Sequence, residues 1–339
     1  MTALHVAHLV CSTAFAGVER YVLTTARALS DEVRVTVIGG DPERFPGALG
    51  PQVDWLPGGS RGEAWRSLRR LGHVDVLNTH MTDADVVGAF ARHPGTALVS
   101  TRHFAAPRGS SRASRAVAGA AGRRFAAEIA ISHFVAAEIE APSTVIHSGV
   151  ATAADAEPAA REPVVLVLQR LEAEKQTALA LRAWAASQGP AQGWRLRIAG
   201  DGSQRPELER LARELCIAAS VDFIGFVAQP AVEYRRAGIL LAPTPREGLG
   251  LTVLEAMAHG LPVVASRAGG HVETAGAVAG SELFDPGDER AAAAALDRLM
   301  MSAARREEYG SALRARQRAE FTLEGQVAKT LDLYRGVAR

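Results

Sequence analysis

The sequence predicts an α/β protein built from two doubly wound, Rossmann-like domains, each a parallel sheet covered by helices on both faces. Three observations carry this. The chain has 339 residues, more than one hydrophobic core usually serves. Short apolar runs rich in β-branched residues alternate with helical patterns over almost the whole length, as crossover-linked parallel strands require. Residues 151–162, ATAADAEPAARE, are small, polar and proline-containing, without an apolar period, which marks an interdomain linker.

The elements follow in order. In the first half, strand-like runs fall at Leu4–Val10, Val33–Ile38, Val74–Asn78, Ala97–Thr101, Glu128–Ile131 and Thr144–His147. Helical patterns such as Val18–Leu29 and Ala84–Arg92 lie between them. The second half restarts with Val164–Leu168 and continues with Arg195–Ala199, Val221–Ile224, Ile239–Ala242 and Pro262–Ala265. These runs assign residues 1–150 to one domain and 160–317 to the other, with a helix at about 318–339 returning to the first. Open parallel sheets bind ligands at the carboxyl ends of their strands. Two such domains are therefore expected to set two crevices opposite one another across a cleft.

Composition narrows the function classes. The apolar fraction of 47% suits a folded protein. Lys and Arg number 38 against 37 Asp and Glu, a net charge of +1, which gives no bulk basis for binding nucleic acid. Cys11 and Cys216 lie far apart and form no metal-ligand spacing, so a reduced, cytoplasmic protein is expected. MTALHVAHLV has no basic leader region. No stretch approaches the ~18 apolar residues of a spanning helix. Abundant Ala and Arg suggest a GC-rich genome.

The most informative segment is TPREGLGLTVLEAMAHGLPVVAS, residues 244–266. Pro243 and Pro245 close a strand, Gly248 and Gly250 supply a turn, and a helix is expected from about Leu249 to His259. The amides of Gly248, Leu249, Gly250 and Leu251 would face out of that helix's N-terminus, where free N–H groups and the helix dipole suit phosphate or a sugar hydroxyl. Glu247 precedes the turn and Glu255 lies eight residues later, roughly the span of a diphosphate plus a sugar at about 1.5 Å per helical residue. Each carboxylate can accept two hydrogen bonds side by side, as a vicinal diol offers. Taken singly, each Glu would read as a solvated acid. Glu255, however, is flanked by Val253, Leu254, Ala256 and Met257, and a carboxylate there needs a partner.

The run EGLGLTVLEAMAHGLPVVAS resembles the E-x7-E region of glycosyltransferase family 4, the retaining enzymes of GT-B fold, with Leu249 in place of an aromatic. The resemblance extends from about residue 4 to residue 290. It implies that Glu247 holds donor sugar hydroxyls, that Gly248–Leu251 contribute amides and that Glu255 holds the ribose. It also implies a donor-binding C-terminal domain and an acceptor-binding N-terminal domain. QRLEAEKQ, residues 169–176, resembles the family's G-R-L-x-x-x-K-G, with Gln169 and Gln176 replacing the glycines. Arg170 and Lys175, otherwise two surface cations, would there meet the diphosphate and the leaving-group charge. AFAGVERYVL resembles the family's G-G-x-E-R loop, and Gly17 would approach the donor phosphate. STRHF looks like the family's T-F-H-T, which places His103 by the donor sugar and acceptor. His80, at another strand end, is expected as a cleft residue. In DFIGFVAQ the backbone at Phe226 and Val227 would lie beside the nucleobase.

No D-x-D stands at a plausible strand end and no G-x-G-x-x-G is present, so neither a donor-bound metal nor a dinucleotide cofactor is expected. The donor would be a nucleoside diphosphate sugar of UDP or GDP type. The resemblance implies hexosyl or pentosyl transfer by front-face substitution to a small-molecule acceptor. The type pictured is an actinobacterial antibiotic-tailoring enzyme or one that glycosylates lipid. Arg102, Arg108, Arg112, Arg115, Arg123 and Arg124, with no acid among residues 102–124, form either a solvated basic face or a peripheral contact with acceptor or anionic membrane. Two rivals stand beside this reading: a nucleotide-sugar epimerase or hydrolase of similar shape, and a non-catalytic nucleotide-sugar-binding protein. The nucleobase, the sugar, the acceptor and the oligomeric state are not legible in the sequence.

Overall fold

A computed structural model describes residues 4–91, 94–109, 111–153 and 161–338. Two compact units divide it: residues 1–148 with 323–339, and residues 149–322. The expected linker runs past the first unit's end, but its residues 154–160, like Arg92 of an expected helix, lie outside the described residues.

In unit 1 the strands are β1 (His5–Val10), β2 (Arg34–Gly39), β3 (Val53–Leu56), β4 (Val76–His80), β5 (Ala97–Arg102), β6 (Ala127–Ala130) and β7 (Thr144–Val145). The helices are α1 (Gly17–Leu29), α2 (Phe45–Leu49), α3 (Arg61–Leu71), α4 (Met81–Phe90), α5 (Arg112–Gly122) and α6 (His133–Glu138). The sheet order is β3-β2-β1-β4-β5-β6-β7, with parallel pairings. Unit 2 carries β8 (Val164–Leu168), α7 (Thr177–Ala186), β9 (Arg195–Ala199), α8 (Arg205–Glu214), β10 (Val221–Gly225), α9 (Pro230–Arg236), β11 (Ile239–Ala242) and α10 (Leu251–Ala258). It continues with β12 (Val263–Ser266), α11 (Gly270–Glu273), β13 (Glu282–Phe284), α12 (Glu289–Met300) and α13 (Ala303–Glu320). Its sheet order is β10-β9-β8-β11-β12-β13, again parallel. The last helix, α14 (Leu323–Val337), belongs to unit 1, where Gln326 donates to Thr25 and the Tyr334 hydroxyl meets Asn78.

Both sheets reverse their strand order once, between β1 and β4 and between β8 and β11. Such a switch point leaves the loops beyond two adjacent strands splayed apart, which is where open α/β sheets bind ligands. Two strands had no counterpart in the sequence reading, β3 and β13. Each is a sheet edge, so neither needs the continuous apolar run that marks a central strand.

Candidate functional site

In unit 2 the loops beyond β8 and β11 hold the motif residues. Lys175 ends a short 3₁₀ turn after β8, and its Nζ lies 2.8 Å from the Glu247 carboxylate beyond β11. The two motifs, 72 residues apart, therefore meet at the switch point. Gln169, in the family's glycine position, ties them further. Its amide donates to the Lys175 carbonyl and the Thr177 hydroxyl, and its oxygen accepts from Thr244. Gln176, in the other glycine position, adopts a left-handed φ of 50°, the backbone state for which glycine is the usual choice. Arg170 is the outlier: it is exposed and pairs with its neighbour Glu174 at 2.8 Å.

The helix after this loop, α10, starts at Leu251, later than expected, because Gly250 is its N-cap with φ 92° and Leu249 is buried. A helix's first amides have no acceptor within the helix, so the first turn of α10 points N–H groups out beside Glu247. A second segment braces the turn. The Gly270 amide donates to the Glu247 carbonyl at 3.0 Å, and a Cβ on Gly270 would sit 2.2 Å from the Leu249 Cα. Next to it, buried His271 has Nδ1 facing the Ser266 carbonyl at 3.1 Å, and burial pushes its pKa down. The sequence reading missed this Gly269–Gly270–His271 brace. Its only signal is a glycine pair three residues past a strand.

Glu255 has the partner its apolar surroundings demand. The Tyr234 hydroxyl donates to it at 2.7 Å, and Tyr234 packs on His259, whose Nδ1 lies 2.8 Å from the Glu255 carbonyl. Val227 is half-buried and Phe226 63% exposed in the loop after β10.

In unit 1, Gly17 opens α1, and a Cβ there would meet nothing within 4 Å. His103 follows β5 and is 8% exposed. His80, expected as a cleft residue, is instead wholly buried: its Nδ1 lies 3.0 Å from His103 Nε2 and its Nε2 3.0 Å from His8 Nδ1. Strand pairing explains this. His8 lies opposite Asn78 and His80 opposite Thr101, so with the period of two these residues and His103 share one sheet face. Burial lowers the pKa of His8 to about 4 and of His103 to about 3, and pushes His80 well below its usual value.

The basic segment also needs correction. Arg102 and Arg108 are not on a surface: Arg108 pairs with Asp85 at 2.6 Å and Glu128 at 2.9 Å, and Arg102 with Glu128 at 3.2 Å, all buried. Arg112, Arg115, Arg123 and Arg124 are exposed. An Asp-x-Asp triplet, Asp83–Asp85, lies at the start of α4, three residues past β4, but Asp85 is held by Arg108, Thr79 and Ser100, and Asp83 pairs with Arg61.

The model of the family "Glycosyltransferase Family 4" matches residues 15–154, and that of "Glycosyl transferases group 1" matches residues 152–316. The 2-deoxystreptamine glucosyltransferase of Streptomyces kanamyceticus is 34% identical over 128 residues, 37% of this chain and 33% of that protein. The D-inositol 3-phosphate glycosyltransferase of Corynebacterium urealyticum is 34% identical over 146 residues, 41% of this chain and 33% of that protein. Matches to these two, like those to other curated relatives, span a third or less of the relative's own length. Among solved structures, Anabaena Alr3699/HepE in complex with UDP-glucose superposes with a TM-score of 0.81 at 22% identity, covering 97% of this chain and 100% of that one. That likeness shows the fold. With the two family models spanning the chain from residue 15 to residue 316, the protein belongs to the glycosyltransferases of family 4 type and GT-B fold.

Proposed function

We propose that the chain transfers a hexosyl group from a nucleoside diphosphate sugar to an acceptor hydroxyl, with retention and without a metal. The observation that carries this is the Lys175–Glu247 pair at the switch point of unit 2, set at the head of α10 with Glu255 eight residues on. Before a donor arrives the two charges satisfy each other. A donor offers each a better partner: the diphosphate takes Lys175 and the α10 amides, and the sugar hydroxyls take Glu247. Glu255 then accepts from the ribose diol. Gly17, Arg170 and the backbone at Val227 complete the donor contacts. The UDP-glucose bound by the Anabaena protein favours uridine over guanosine.

For retention, the bond from the anomeric carbon to the phosphate oxygen breaks as the bond to the acceptor oxygen forms on the same face. The acceptor proton passes to the departing phosphate oxygen. Lys175, Arg170 and the helix amides carry the charge that a divalent ion would otherwise neutralise. Unit 1 is the acceptor-binding half, with His103 as its contact. The acceptor is a small polyhydroxylated molecule, as the two named relatives suggest. No described helix is long and apolar enough to cross a membrane. A peripheral contact with anionic lipid would use the exposed Arg112, Arg115 and Arg123 beside Val117 on and after α5.

The test is Glu247→Gln. Turnover should fall far more than nucleoside diphosphate affinity, and unchanged turnover would remove Glu247 from the site. Transfer should also survive excess EDTA; abolition by chelation with rescue by magnesium or manganese would sink the metal-free reading.

A further inference from the structure

The three buried rings of unit 1 form a chain with only two possible polarities. Each neutral imidazole carries one N–H and one bare nitrogen. His80 is bonded through both nitrogens, Nε2 to His8 Nδ1 and Nδ1 to His103 Nε2. If His80 accepts at one it donates at the other, so all three rings are protonated at Nδ1 or all three at Nε2. The chain ends decide between these. His8 Nε2 is buried, with no partner among the described residues. His8 and His80 have no exposed surface, whereas His103 keeps 8%. Protonation at Nε2 throughout would strand an N–H donor at the buried end, and buried orphaned N–H groups are rarer than under-satisfied acceptors. Protonation at Nδ1 throughout leaves only a bare lone pair on His8 and brings the spare N–H to His103, the one ring of the three that keeps some accessible surface.

We infer that His8 and His80 are positioning residues that fix His103 as a hydrogen-bond donor at Nδ1 rather than a proton acceptor, with each ring donating to the next in the order His8, His80, His103. The substrate group it meets is then an acceptor: a donor-sugar hydroxyl oxygen or a phosphate oxygen. The framework holds the chain firmly. Tyr21 of α1 meets the His103 ring edge-on at 4.8 Å, and Tyr334 of α14 meets His8 at 6.3 Å. Met81, directly after His80, sits at a left-handed φ of 72°, a strained state that persists only where surroundings over-determine it. The low pKa values of His8 and His103 keep both rings neutral near pH 7.

This role for His103 rests on its proposed substrate contact, but the tautomer does not, and the test separates them. Long-range proton–nitrogen NMR correlations on the full chain with ¹⁵N-histidine, at pH 7 and without ligand, report which nitrogen of each ring carries the proton. Nδ1–H on His8, His80 and His103 is expected; Nε2–H on His103 overturns the proposal whatever the chain's activity. Turnover then tests the consequence. His80→Leu removes the donor to His103 and should lower kcat on the order of a hundredfold, as loss of one preorganised donor does, with donor KM little changed. His80→Asn keeps an amide N–H near the Nδ1 position and should recover most of that loss. Equal losses in the two variants, both folded, would overturn the positioning role. If His80→Leu does not fold, the spectrum of the unmodified chain still decides.

Discussion

The two sheets share a topology and differ in what they bury. In unit 2 the central strands read VVLVL, ILLA and VVAS, almost wholly apolar, and the charged motif residues lie beyond them, Arg170, Lys175 and Glu247 in the loops and Glu255 in α10. In unit 1, β1, β4 and β5 bury His8, Asn78, His80 and Thr101 on one face. On the other, Thr79 and Ser100 meet the Asp85–Arg108–Glu128 cluster. Unit 2 is thus a scaffold whose stability and chemistry are separable. In unit 1 the groups that hold the sheet together are continuous with His103, the proposed substrate contact, so a change to one should disturb the others. Buried polar groups are stable only when satisfied as a set, which makes unit 1 the half that single changes should damage most.

Arg108→Leu should be the severest break in that contrast. It leaves Asp85 a buried carboxylate without its guanidinium and Glu128 with Arg102 alone, and breaking a buried pair costs about 3–5 kcal/mol. Denaturant unfolding of the variant checks this; a loss below ~1 kcal/mol would show the cluster to be neutral. Acid should act next, and on the same unit. The folded-state pKa values of His8 and His103, about 4 and 3, lie below the unfolded value near 6.5. Above that value neither state binds the proton and stability is flat. Below it the unfolded chain gains protons first, so stability should fall by about 1.4 kcal/mol per pH unit for each such ring. A denaturation midpoint unchanged between pH 7 and pH 5 would contradict this.

In unit 2 a site change should leave the fold intact. Glu255→Ala should weaken nucleoside diphosphate binding by about 1.5–3 kcal/mol, the worth of a charged hydrogen bond, while the variant, which also removes the acceptor of the Tyr234 hydroxyl, still folds. Calorimetry showing unaltered affinity would make Glu255 a purely structural partner of Tyr234. Smallest of all, Gln176→Gly removes a side chain from a left-handed residue and should raise stability by at most about 1 kcal/mol; a clear loss would mean that the Gln176 side chain is needed.

What the sequence determined by itself was local in the chain. Strand–helix alternation predicted two parallel α/β units, because a parallel strand buried on both faces must be apolar along its length. The spacing of Glu247 and Glu255 across a glycine turn marked the head of α10, because turn and cap chemistry act over a few residues. Only the tertiary structure decided what depends on packing between distant segments. It brought Lys175 to Glu247, Tyr234 to Glu255 and Gly270 against Leu249. It moved Arg102, Arg108 and His80 from expected surface to interior. The edge strands β3 and β13 escaped notice because their runs, VDWL and ELF, are short and each contain an acid, which an edge with one neighbour tolerates. The histidine chain escaped for a related reason: His8, His80 and His103 are separated by 72 and 23 residues, and it is the register of β1, β4 and β5 that sets them on one face.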